Sequence, residues 1–340
     1  LQDKDVPNKK MKLRSIILIL STAAMTVLTA CHKEKDSSST VSPYLDGTLK
    51  FSMSLFALPG QEFSLTPSGA SNPSGEGVGY CWYCSWITER DTVKTPTGVG
   101  DGSWSFTAPE STGTYTVHLM AFAPNYSALN TSQSFTVVDP SLNGSLKGAG
   151  YQADSVKFID PRDGATYYLA TTGGKVWMQN NLYFTGKGVS YEYSPAMDKI
   201  AGRLYNWNEA KEACPEGWHL PSDAEFTAMV GSSVEKGETV VGSAGDLMAD
   251  VTFNDAKMWT FWPEVKISNK AKFSAAPFGY AVDQDGAQKY YGTNSYAAFW
   301  TSDSEGDAGL YRYIYVSKNN IYSAWGDKQS FRASVRCVKD

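Results

Sequence analysis

Hydrophobic and polar positions alternate in short runs along most of this chain, and stretches with helical spacing are few. The clearest alternation is Gly113-Thr-Tyr-Thr-Val-His-Leu-Met-Ala121, which puts Tyr115, Val117, Leu119 and Ala121 on one face and Thr114, Thr116, His118 and Met120 on the other. A period of two is that of a strand with one buried face. Leu49 to Phe56, Glu62 to Leu65, Val78 to Ile87, Ser103 to Phe106 and Gln133 to Val138 are further strand candidates, spaced by Gly and Pro turns. Five or six short strands within residues 48–138 fit an immunoglobulin-like β-sandwich.

Turn formers gather at residues 139–150, which reads as a linker to a second domain over 151–340. There, Val156 to Tyr168 is two apolar runs joined by Asp163-Gly164, the pattern of a hairpin. Leu204, Trp207, Ala210 and Cys214 recur at three and four residues, which predicts a helix with one inward face and Cys214 at its buried end. Ser222-Asp-Ala-Glu225 is a capping box, so a second helix should begin at Asp223 and bury Phe226, Met229 and Val230. The remainder, including Trp259, Trp262, Tyr280 and Trp300, reads as irregular loops and short strands. The predicted fold class is mainly β, with an α+β C-terminal domain.

The N-terminus has a different character. From Met11, expected to be the true start, a basic stretch leads into apolar Ile16 to Leu20 and small residues up to Ala30, a secretory signal too short and interrupted to span a membrane. Leu28-Thr-Ala-Cys31 resembles a bacterial lipobox, which implies acylation of Cys31; several acyl chains at ~0.8 kcal/mol per buried CH₂ make such anchoring stable. Residues 31–47 read as a polar, flexible tether. The expected location is therefore the cell envelope, as an outer-membrane lipoprotein displayed on the surface, with the membrane as partner through Cys31. The formal net charge is −5, and residues 1–30 are net basic, so the remainder is more acidic still. That balance argues against nucleic acid and against a basic membrane-binding face.

Candidate chemistry is sparse. Cys81 and Cys84 form a C-x₂-C on a strand, where the two thiols point to opposite faces; packed thiols are favoured over zinc or a local disulfide. Only three histidines occur: His32 in the tether, His118 on a strand, and His219, whose expected job is to hold a turn through a backbone hydrogen bond. Asp283-Gln-Asp-Gly286 and Asp303-Ser-Glu-Gly-Asp307 lack the spacing of an EF-hand and read as turns. No catalytic residue, metal ligand or cofactor is assigned. The candidate ligand-binding residues are Trp259, Trp262, Tyr280 and Trp300, because flat apolar rings suit the C–H faces of sugars.

Two resemblances add to this. The Tyr-x-Trp strand followed by Gly113-Thr-Tyr-Thr-Val117 resembles PKD-like surface domains, over 48–138. Phe158-x-Asp160-x-x-Asp163-Gly164, Val176-Trp-Met178 with Asn181-Leu182, Leu204-Tyr-Asn-Trp207, Cys214-Pro-x-Gly-Trp-His-Leu-Pro-Ser-Asp-Ala-Glu225 and Ser334-Val-Arg-Cys337 together resemble the Fibrobacter succinogenes major paralogous domain, over about 155–340. Phe226 stands where that family usually has Trp. The order of helix cysteine, second helix, aromatic region and terminal cysteine also resembles a C-type lectin-like fold, in which the first-helix cysteine bonds the last strand. That resemblance implies a Cys214–Cys337 disulfide; closing about 120 residues would contribute ~4 to 5 kcal/mol in the chain-entropy view. The function implied is non-catalytic binding or adhesion, to a glycan, another extracellular polymer or a protein. The alternatives are a structural subunit of a surface assembly such as a pilus, and third an exported enzyme using His219. A palmitate analogue fed to cells should label the wild-type chain and not Cys31→Ala; label persisting in the variant would defeat the lipidation expectation.

Overall fold

The computed structural model describes residues 42–86, 102–235, 238–259 and 265–340. Cys31, His32, the signal region and Trp262 lie outside these residues.

The N-terminal half is a sandwich of strands β1 (Asp46–Lys50), β2 (Phe56–Ala57), β3 (Glu62–Leu65), β4 (Ser68–Ser71), β5 (Gly79–Trp86), β6 (Trp104–Thr107), β7 (Gly113–Phe122) and β8 (Leu129–Val137). One sheet runs β2-β8-β7-β5, and β3 pairs with β6. The alternation seen in sequence sets the packing: Tyr115, Val117, Leu119 and Ala121 are all at most 3 % exposed, against Trp82, Phe106 and Phe135. Leu49 to Phe56 is not one strand. β1 pairs antiparallel with β4, whereas β2 runs parallel to the end of β8, so the chain changes sheets between them and cannot keep a single ladder. Gly47 and Gly69 make the β1–β4 contact possible: both have positive φ, and a Cβ on Gly47 would meet the Gly69 carbonyl at 2.1 Å. Cys81 and Cys84 face opposite sides of β5, as expected, and are not bonded to each other. Cys84 sits in the core, where burial pushes its thiol up to about 12.

Residues 139–150 are built into the structure. β9 (Leu146–Lys147) pairs with β14 (Thr252–Phe253), and the Asn254 N–H donates to the Ser145 carbonyl. Phe56, at the edge of the sandwich, packs near Tyr191 at 6.1 Å and Phe253 at 6.0 Å, and its N–H donates to Ser194 Oγ. The sandwich is therefore docked on the second half by an aromatic ring and a strand pair.

The second half, the head, contains β10 (Lys157–Ile159), β11 (Thr166–Thr172), β12 (Lys175–Met178), β13 (Trp218–His219) and β21 (Val338–Lys339) in one sheet ordered β10-β11-β12-β21-β13. The expected hairpin is present, with Phe158 opposite Tyr167 and Ile159 opposite Thr166. Its turn is fixed by the fully buried Asp160, which accepts from the Arg162 guanidinium. The last strand, β21, lies between β12 and β13, so Val338–Lys339 is inserted into a sheet begun at Lys157. Further strands of the head include β15 (Tyr280–Gln284), β16 (Ala287–Tyr291), β17 (Tyr296–Glu305), β18 (Ala308–Tyr315), β19 (Asn320–Asp327) and β20 (Phe331–Arg332).

The first helix is shorter than its periodicity predicts: α1 spans Trp207–Lys211, with Leu204 in a two-residue strand and Cys214 beyond the helix end and half-buried. A local signal overrides the spacing. Asn206 Oδ1 accepts from the Glu209 N–H while the Glu209 carboxylate accepts from the Asn206 N–H, a capping box that starts the helix at Trp207. The second helix, α2 (Asp223–Val230), begins as its Ser222–Glu225 capping box requires; Phe226 and Met229 are buried, while Val230 is half-buried. Cys214 and Cys337 form a disulfide with Cα atoms 5.8 Å apart, spanning 123 residues. Reducing it, or replacing both cysteines by serine, is expected to lower the denaturant midpoint by the equivalent of about 2–5 kcal/mol; an unchanged midpoint in reductant would contradict this role.

Candidate ligand-binding face

Of the four aromatic residues named from sequence, the structure describes Trp259, Tyr280 and Trp300, and it separates them. Trp259 is 1 % exposed and donates its indole N–H to the Ala249 carbonyl at 3.0 Å. Trp300 is fully buried and donates to the Tyr205 carbonyl at 2.7 Å. Both indoles are core residues with satisfied N–H groups and offer nothing to a ligand, which corrects that expectation. Tyr280 is half-buried at the edge of a surface cluster that the sequence reading did not single out.

That cluster is built by β18. Its residues alternate, so Arg312 and Ile314 are buried while Tyr311, Tyr313 and Tyr315 share the other face. Cross-strand pairing adds Tyr296 opposite Tyr315 on β17 and Tyr322 opposite Tyr313 on β19. Ala298 and Ala324 flank the row and leave room for the rings. A ladder results: Tyr322 to Tyr313 at 5.8 Å, Tyr313 to Tyr296 at 5.0 Å, Tyr296 to Tyr280 at 5.2 Å and Tyr280 to Tyr291 at 5.6 Å between ring centroids. Such cross-strand aromatic pairs stabilise a sheet by roughly 0.2–1 kcal/mol each. The Tyr313 and Tyr296 planes differ by 12°, so these rings cover each other's faces. Open ring faces are left at the margins, where Tyr291 is 42 % and Tyr315 39 % exposed. Burial, then the neighbouring Tyr311, raises the Tyr296 phenol far above its ordinary range, so it stays a neutral donor and acceptor. The signal in the sequence is Tyr311-x-Tyr313-x-Tyr315, three rings on one strand face.

Ion pairs fix this face from behind and beside it. Arg332, 8 % exposed, holds Asp283 through both Nε and Nη2 and also reaches Glu209 at 2.8 Å. Burial would raise the Asp283 pKa, but Arg332 and Gln288 outweigh it and hold the carboxyl below its usual range. Arg312, 2 % exposed, forms a two-point contact with Asp223, whose N–H donates to Asp303. Asp283 and Asp303 are thus committed to structure, and Asp285-Gly286 is a tight hairpin turn with φ of 55° and 78°. Among the described residues no group of three His, Cys, Asp or Glu is arranged to hold a metal ion.

His219 is held differently from the expectation. In place of a backbone bond, its Nδ1 meets Asp340 at 2.6 Å and its Nε2 meets Glu225 at 3.0 Å. Glu225 therefore caps α2 and orients the imidazole at once. Desolvation lowers the His219 pKa, but the hydrogen bonds that the ring donates to the two carboxylates outweigh it and the net shift is upward. His118 lies on the outer face of the sandwich, stacked on Tyr83 at 4.3 Å and bonded to Ser85 Oγ, with its pKa lowered by burial.

Comparison with known proteins places residues 170–339 in the family described as the Fibrobacter succinogenes major domain. Among solved structures, the adhesin InvE of Yersinia pseudotuberculosis is similar over 88 % of this chain and 71 % of its own, at 12 % identity and a TM-score of 0.24. A superposition that loose carries no argument about fold or function. No curated protein matches the chain.

The His219 geometry predicts a pH dependence. Because its folded pKa lies above the ordinary 6.5, its stabilising contribution is complete below that value and lost as pH rises through the higher folded one. The side chain is 36 % exposed, so screening limits the effect to about 1 kcal/mol or less. Urea melts should show wild type more stable than His219→Gln near pH ~6 and the difference vanishing near pH ~8.5; a gap that persists at the higher pH would contradict the paired imidazolium.

Proposed function

This chain belongs to the Fibrobacter succinogenes major domain family, and from that premise we propose a non-catalytic binding module. It is carried on the cell surface by acyl chains on Cys31 and engages an extracellular glycan polymer through the tyrosine face. The ladder of Tyr322, Tyr313, Tyr296, Tyr280 and Tyr291 is the observation that carries this reading. Tyrosine supplies large, stiff, amphipathic contact area with little conformational entropy to lose, which is why binding surfaces favour it. The exposed rings of Tyr291 and Tyr315 can cover the C–H faces of sugar rings.

The environment of the candidate catalytic groups supports binding over chemistry. Cys214 is oxidised, and both ring nitrogens of His219 are taken by carboxylates. The lectin-like reading rests on the bond from the cysteine that follows α1 to the cysteine preceding β21.

A glycan array probed with a soluble chain beginning at residue 32 is expected to show binding on the order of micromolar. Tyr291→Ala and Tyr315→Ala together should weaken it about tenfold, or ~1.4 kcal/mol, while the chain stays folded with a thermal midpoint lowered only by the loss of two cross-strand ring pairs. No array signal, or a signal unaffected by both substitutions, would overturn the assignment.

A further inference from the structure

We infer that a second ligand site, separate from the tyrosine face, lies where the sandwich, residues 139–150 and the head meet, and that it takes a short neutral oligosaccharide. The cleft there has a volume of about 550 Å³. Small-molecule sites run from ~300 to ~1,000 Å³, so it holds several sugar rings or a ligand of that size.

Its lining comes from two sources of opposite chemistry. Leu58 of the sandwich and Leu142 and Leu146 of the connecting segment supply aliphatic surface. The head supplies Asp163, Asn180 and Tyr183, each already fixed in position. Tyr183 donates its hydroxyl hydrogen to the Thr166 carbonyl and accepts from the Thr166 N–H. Asn180 accepts from the Tyr168 N–H and donates to the Thr166 carbonyl at 3.3 Å, and Asp163 accepts from the Ala165 N–H. These bonds leave one amide hydrogen on Asn180 and further lone pairs on Asp163 for a ligand.

Charge narrows the class. Asp163 and Lys199 bring one charge of each sign to the lining, and the third ionisable group there, Asp198, is engaged by Arg203 at 2.7 Å. With no net positive field, phosphorylated ligands gain nothing from the site. An acyl chain would offer nothing to the remaining hydrogen-bonding capacity of Asp163 and Asn180, which is costly. A pyranose meets both walls, with C–H faces toward the leucines and hydroxyls toward Asp163 and Asn180. The site also exists only while the halves are docked through Phe56 and the β9–β14 pair, so an occupant would fasten them together.

The test titrates the chain beginning at residue 32 with cellobiose, xylobiose, mannobiose and N,N′-diacetylchitobiose, reading saturation-transfer NMR and calorimetry. At least one disaccharide should bind saturably. Thr185→Trp, which plugs the cleft from an exposed lining position, should weaken that binding at least tenfold, with Lys199→Trp as a second plug should the first fail to fold. Tyr315→Ala, on the tyrosine face, should leave it unchanged. Saturable binding by none of the four, or equal binding in a folded plug variant, or loss in Tyr315→Ala with retention in the plug variants, would overturn the site. Loss of array binding in the Tyr291 and Tyr315 variants is read separately and does not bear on the cleft.

Discussion

A buried guanidinium that has no carboxylate partner among the described residues is the constraint on which the head is built. Arg336 is 2 % exposed and donates to Asn181 Oδ1 and to the carbonyls of Gln179, Phe273 and Ser274, with the rings of Phe273 and Phe299 at 4.6 and 5.5 Å. Burial pushes its pKa down to about 10, which still leaves it a cation at neutral pH. Removing it would strand several buried acceptors at once, each costing about 1–3 kcal/mol. The segment after β12, the loop at 273–274 and the chain end are thereby forced to one point. The Val176-Trp-Met178, Asn181-Leu182 and Ser334-Val-Arg-Cys337 motifs, far apart in sequence, are the walls and the centre of this cage. The disulfide from Cys337 and the insertion of β21 between β12 and β13 follow from where Arg336 holds the chain.

The same centre orients the tyrosine face. The Trp300 N–H donates to the Ser334 carbonyl and the Ser334 N–H to the Ala298 carbonyl, which zips the terminal segment along β17. β17 carries Tyr296, β18 pairs with it, and Arg312 locks β18 to Asp223 at the start of α2. Each ring of the ladder thus stands on a strand whose reverse side is bonded to the core. Rings held this way are ordered before any ligand arrives, so binding need not order them.

What was legible in sequence was local. Alternation along Gly113 to Ala121 specified both a strand and its buried face, and Ser222 with Glu225 specified a helix start, because each signal involves groups a few residues apart. The helix expected over Leu204 to Cys214 is too long because Leu204, Trp207, Ala210 and Cys214 happen to fit the helical period, whereas Asn206 and Glu209 decide the start. Residues 139–150 look like a linker in isolation; their partners, Thr252 and Phe253, are about a hundred residues away. His219 likewise finds Asp340 across 121 residues. The tryptophans misled for a related reason: an indole whose N–H meets a backbone carbonyl is chemically content in a core, and no short-range pattern reports that carbonyl. Tyr311, Tyr313 and Tyr315 did announce a shared face, but only the pairing with Tyr296 and Tyr322 turns it into a ladder.

Ladder geometry determines what kind of recognition the face can perform. A row of separated rings would offer open faces and bind by area, with little choice among sugars. Here Tyr313 and Tyr296 lie within 12° of parallel and occupy one another's faces, and the Tyr296 hydroxyl is hydrogen-bonded to that of Tyr311. Hydrogen bonds to a hydroxyl-bearing partner discriminate more sharply than apolar contact, because a mismatched ligand leaves polar groups unpaired. The open faces at Tyr291 and Tyr315 then supply contact area at the margins of the ladder. On the proposed reading, a glycan would meet the face at these open rings, and the rings inside the ladder would hold them in place.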